Sequence, residues 1–165
     1  MIAGTSPISP VVKLSQHFTL AEAIASSKAM KLKLDNSAPP AVVSTMKVTA
    51  AYMEIVRGIL GAPISVNSWY RSELVNAAVG GKETSQHRKG EAVDFVCPSF
   101  GTPLAICRKL ISMQSIIPYD QLILEHTWVH ISFSVLAANP KRQVISLISG
   151  NRYAAGLTDM QGRPL

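Results

Sequence analysis

The segment SQHRKGEAVDF, residues 85–95, sets His87 and Asp94 seven positions apart, with Asp94 inside the apolar run Ala92, Val93, Asp94, Phe95, Val96. Burying an unpaired carboxylate is costly, so something positive must meet Asp94 there. Only four histidines occur in the chain, and two of them, His87 and His130, fall in segments that also hold buried-looking acids. Imidazole and carboxylate are suitable zinc ligands, and three such ligands with one open position make a catalytic site. His87, Asp94 and His130 supply that set, and the metal would be the positive partner of Asp94. Each also has a blander reading. A His and an Asp at this spacing arise by chance, and His130 beside Trp128 can be a hydrogen-bonded core histidine.

A base must stand near such a metal, and strand geometry selects a candidate. If DQLILEHTWVHISF forms two strands joined by His126 and Thr127, Glu125 pairs with Trp128 and Ile123 with His130. Side chains alternate along a strand, so Glu125, Trp128 and His130 share a face while His126 sits in the turn. Glu125 and His130 then lie about 7–8 Å apart on the diagonal, within reach of a water activated at the metal.

The elements that position these residues are legible as patterns. FTLAEAIAS opens with a capping box, Thr19 and Glu22, and predicts a short helix. Residues 40–60 carry apolar side chains at helical intervals (Val42, Val43, Met46, Val48, Tyr52, Ile55, Val56, Ile59) and end at Gly61, which predicts the main helix. APISVNSWYRS alternates around Ile64 and Val66 as a strand does, and ELVNAAVGG reads as a helix closed by two glycines. TPLAICRKLISM is a further helix and RQVISLIS the last strand. The sum is an α+β domain, a small antiparallel sheet with helices before and between its strands.

The chain has 165 residues, 47% hydrophobic and 16% charged, enough to bury a core without a disulfide or metal staple, so a metal would serve chemistry. Cys97 and Cys107 form no Cys-x-x-Cys pair and read as buried thiols. The net charge of +6 favours encounter with a polyanion: nucleic acid, anionic membrane or bacterial wall. Basic residues are scattered from Lys13 to Arg163 with no run and no basic-aromatic stripe, which argues against nucleic acid. MIAGTSPISPVVKLSQHF has neither a basic n-region nor a long apolar h-region, and no stretch reaches the length of a membrane span. The expectation is a chain without a conventional export signal and without membrane insertion.

Ser85, His87, Gly90, Ala92 and Asp94, followed by Trp128 and His130 in WVH, fill the pattern Ser-x-His-x-x-Gly-x-Ala-x-Asp…Trp-x-His. On these residues the sequence resembles the zinc D-alanyl-D-alanine carboxypeptidases and their phage endolysin relatives, which share a fold with the hedgehog signalling domain. HFTLAEA, PISVNSWYRS, VNAAVGG and DQLILE extend the likeness to the single-domain branch, over about 14–134. It implies a single zinc peptidase domain over 1–165, with residues 1–13 an N-terminal extension and 150–165 a C-terminal tail. It also implies one Zn2+ on His87, Asp94 and His130. Arg71 would steady the substrate carbonyl as it becomes an oxyanion, and Ser85 and Trp128 would contact the bound peptide. Many relatives place the catalytic acid three residues before the last ligand, where this chain has Thr127. Glu125 is the best replacement on the hairpin argument, with Asp120 and His126 still open.

The implied activity is zinc-assisted hydrolysis of an amide bond in the peptide stem of peptidoglycan by a monomer whose basic surface adheres to the wall. The setting expected is a phage lysis enzyme made in the host cytoplasm and released to the wall, or a virion-borne wall peptidase. The competing reading is a non-catalytic zinc-containing module of the same fold that binds wall or protein. Retention of Arg71 and Glu125 favours the enzyme. Cleavage of the D-Ala–diaminopimelate, L-Ala–D-Glu or D-Ala–D-Ala bond stays open.

Overall fold

Residues 11–135 and 139–165 are described by this computed structural model; residues 1–10, read above for an export signal, lie outside the described residues. α1 (Leu20–Ile24) starts where the Thr19 hydroxyl accepts from the Glu22 N–H, as the capping pattern predicts. α2 (Ser27–Leu32), capped the same way by Ser26, has no counterpart among the sequence expectations, because six residues give less than two turns in which a period could show. α3 (Pro40–Leu60) has the expected bounds, with Pro at its first turn and Gly61 in the left-handed conformation after its last. Met46, Thr49, Ala50, Met53, Val56 and Leu60 form its buried stripe. Val48 and Ile55 are 39% and 37% exposed, since a helix lying on one layer buries one stripe however many apolar residues it carries.

The remaining elements are β1 (Ser65–Ser68), α4 (Glu73–Ala78), a 3-10 turn at Gln86–Lys89, β2 (Ala92–Val96), α5 (Pro103–Ser112), β3 (Gln121–Leu124), β4 (Val129–Ser132), β5 (Gln143–Ile148) and β6 (Arg152–Ala155). The strands make one sheet in the order β1-β2-β4-β3-β5-β6. The fold is α+β, and the sheet is mostly antiparallel. Its one exception is β5, which runs parallel to β3. The chain reverses after β4 and returns on the far side of β3, so β5 takes the direction of β3.

Residues 150–165, expected to be a tail, hold β6, paired to β5 from Ile145↔Ala155 to Ile148↔Arg152, and a bridge between Thr158 and Pro164. The local signal for this hairpin is Gly150 and Asn151, both at positive φ in the turn that joins the two strands.

One face of the sheet presents Leu122, Val129, Ile131, Val93 and Phe95 to the core, where they join the α3 stripe and Ile106, Cys107 and Leu110 of α5. Cys97 and Cys107 are buried free thiols, and burial pushes Cys107 up to about 12. Phe18 and Trp69 pack edge to face with ring centroids 5.8 Å apart, which ties the N-terminal loop to the segment after β1. Among the described residues no helix is long and apolar enough to cross a membrane.

Candidate metal centre

Asp94 on β2 pairs with His130 on β4, and His130 pairs with Ile123 on β3. Paired residues of neighbouring strands stand side by side on one face, and Glu125, two beyond Ile123, joins them. The Glu125 N–H donates to the Trp128 carbonyl at 3.2 Å, so Glu125 lies opposite Trp128, the register expected from the sequence. On the other side of β2, a bulge between Val66 and Ser68 sets Ser68 against Asp94.

His87 comes from the 3-10 turn, which ends at Gly90. Gly90 has φ +73°, and a Cβ there would come within 2.5 Å of Met46 Cγ on α3. Only glycine lets the chain turn left-handed that close to the helix and enter β2 two residues later. Trp69 reinforces the turn, donating from Nε1 to the Gly90 carbonyl at 2.9 Å.

Three side-chain atoms converge. His87 Nε2 lies 3.3 Å from His130 Nδ1 and 3.3 Å from Asp94 Oδ1, and His130 Nδ1 lies 2.8 Å from the same oxygen. The far nitrogen of His87, Nδ1, is 2.6 Å from the Trp69 carbonyl. A carbonyl only accepts, so Nδ1 carries the proton and Nε2 presents its lone pair to the cluster. Two imidazole nitrogens and one carboxylate oxygen converging in this way suit a zinc-type ion, and His87, Asp94 and His130 are the group among the described residues able to hold a metal.

The positive side chain that meets Asp94 is Arg71, whose Nη2 donates to Asp94 Oδ2 at 2.6 Å while its Nε donates to Ser68 Oγ at 2.9 Å. The sequence reading gives Asp94 the metal as its positive partner, and the structure adds Arg71 at the second carboxylate oxygen. The turn after β1 swings Arg71 back over β2, a contact across 23 residues that no local pattern reveals. Burial works to raise the pKa of Asp94, but the two histidines beside it, His87 first, outweigh it and hold the carboxyl far below the ordinary aspartate range. Burial lowers the pKa of His87, with Asp94 opposing.

Glu125 is buried at the rim of the cluster, and its pKa is raised, first by burial and then by repulsion from Asp94. The Tyr153 hydroxyl of β6 lies 3.5 Å from Glu125 Oε1. The two other acid or base candidates stand elsewhere. Alternation turns Asp120 to the face opposite Glu125, where it accepts from the Lys141 backbone N–H at 3.2 Å and from Lys141 Nζ at 3.5 Å. His126 is exposed in the turn between β3 and β4. Trp128 is partly exposed on the face of Glu125, and Ser85 precedes the 3-10 turn two residues before His87. Ser68 and Trp69, within PISVNSWYRS but given no role by the sequence reading, and Tyr153, which no sequence pattern marks, belong to the site. They touch it through contacts that depend on strand pairing, and only the Trp69 carbonyl, a backbone group, touches a ligand directly.

Residues 16–132 match a protein family described as Peptidase M15. A comparison with curated proteins finds no match.

Proposed function

The chain belongs to the Peptidase M15 family, and on that premise we propose that it hydrolyses an amide bond in the peptide stem of bacterial peptidoglycan. The observation that carries the reading is one sheet face on which His87, Asp94 and His130 bring three ligand atoms together with Glu125 beside them. His87, Asp94 and His130 would hold a zinc ion, which would supply a Lewis acid able to lower the pKa of water towards about 7 and to polarise the scissile carbonyl.

The protein groups then divide the work. Glu125 takes the proton from the attacking water and returns it to the leaving amine. Arg71 keeps Asp94 in place through Nη2, and its guanidinium steadies the oxyanion. Ser85 and the partly exposed Trp128 contact the peptide. The net charge of +6 favours the anionic wall over a neutral partner. A phage lysis enzyme is the setting that the motif's resemblance to endolysins favours.

Glu125→Gln keeps size while removing the proton acceptor, so it should retain zinc and fold and lose about a hundred- to ten-thousand-fold in wall hydrolysis. Asp120→Asn and His126→Gln are the controls, expected to keep turnover. Metal analysis and a wall-lysis assay on the three variants decide it. Parent-rate lysis by Glu125→Gln would remove Glu125 as the base.

A further inference from the structure

The face that holds the metal centre does not end at β3. Ile123 pairs in parallel with Ile145 of β5, and Leu147, two residues on, pairs with Tyr153 of β6. Alternation therefore puts Asp94, His130, Glu125, Leu147 and Tyr153 on one side of the sheet, in that order across it. The Tyr153 ring crosses Leu147 to bring its hydroxyl 3.5 Å from Glu125 Oε1. Tyr153 is 54% exposed, whereas the Glu125 it reaches is buried.

Leu147 and the residues that follow β6 also line a cavity beside Glu125. This open cavity of about 520 Å3 is lined by Leu104, Leu124, Glu125, Leu147, Thr158 and Met160 among others. Leu147, Thr158, Asp159 and Met160, four of its ten lining residues, follow position 132, where the match to the family ends. The β5–β6 hairpin thus lies outside the matched segment, laid against the base.

We propose that Tyr153 is a positioning residue for the hydrolysis: its hydroxyl donates to the Glu125 carboxylate and holds the carboxylate's other oxygen toward the water to be deprotonated. The inference rests on the reading of Glu125 as the base. A free glutamate at a strand end can rotate about three bonds, and one donor fixed on a neighbouring strand removes that freedom. Hydrogen bonds of this kind are commonly long before substrate arrives and tighten in the complex, which suits 3.5 Å.

Tyr153→Phe deletes the hydroxyl and keeps the ring, so the side chain still covers Leu147. With zinc content and circular dichroism unchanged, kcat on soluble wall fragments should fall about ten- to a hundredfold while KM stays near the parent's, the usual loss on removing an outer hydrogen-bond partner. In a Glu125→Gln background the same change should cost nothing further, because the hydroxyl acts through the carboxylate. A readout free of turnover is the side-chain carboxyl 13C resonance of Glu125 in the zinc-free protein, identified by its loss in Glu125→Gln and expected to move in Tyr153→Phe. An unmoved resonance, a parent kcat, or a loss repeated in full on the Glu125→Gln background would each overturn the role of Tyr153. Failure of the base reading shows separately, as a Glu125→Gln protein that hydrolyses wall at the parent rate.

Discussion

Asp94 has three side-chain neighbours at its two oxygens: both histidines near Oδ1, and Arg71 donating to Oδ2. One oxygen is thereby aimed at the cluster and the other anchored to a guanidinium that is itself held by Ser68. Removing the anchor should loosen the ligand more than the fold. Arg71→Met is expected to weaken zinc affinity about ten- to a hundredfold, as loss of a partner behind a ligand typically does. Titration against a chromogenic chelator measures it. Parent affinity would leave Arg71 to the substrate alone, with its bond to Asp94 incidental.

Among the elements, the loop before α1 is fastened to α3 by one side chain. Glu54 accepts from Ser15 Oγ at 2.6 Å and from the His17 backbone N–H at 2.8 Å, and His17 Nδ1 lies 2.7 Å from its other oxygen. The clasp places Phe18 on Trp69, whose carbonyl orients His87, so it bears indirectly on the metal centre. Burial works to raise the Glu54 pKa, but the donors from Ser15 and His17 outweigh it and hold the carboxyl below its ordinary value of 4.5. A folded-state pKa that is depressed means stability present above the unfolded value and lost as pH falls through the folded one. Glu54→Gln should therefore cost about 1 kcal/mol at pH 7, and the gap to the parent should narrow on acidification below about pH 4. Thermal melts of both proteins across that range test it, and a gap that stays constant with pH would assign the loss to packing instead.

At the scale of the whole molecule, the core and the metal centre occupy opposite faces of the same sheet. The buried cluster joins α3, α5 and the core-facing residues of β2, β3 and β4 without using a ligand side chain. Chelation should accordingly abolish wall hydrolysis while leaving far-ultraviolet circular dichroism nearly intact. The melting temperature should fall only by the stabilisation that a ligand bound to the folded state supplies. Unfolding on addition of EDTA would make the ion a structural one.

What the sequence determined by itself depends on short spacing, although α2 and the β5–β6 hairpin, also local, were not read from it. His87, Gly90, Ala92 and Asp94 lie within one turn and one strand. The two-residue connection at His126 and Thr127 sets the β3–β4 register, and that register alone brings Glu125 to the face of His130. Pro40 and Gly61 bound the main helix, because local backbone preferences start and stop it. Only the tertiary structure decided the contacts made across long separations. The Arg71–Asp94 pair depends on where the turn after β1 falls against β2. The direction of β5 depends on which side of β3 the chain returns to. Tyr153 reaches Glu125 only once both β5 and β6 have joined the sheet. The reason is physical: backbone preferences and side-chain alternation act over a few residues. The free energy that selects one strand as another's neighbour comes from burying a whole face at once, a sum over residues far apart in the chain.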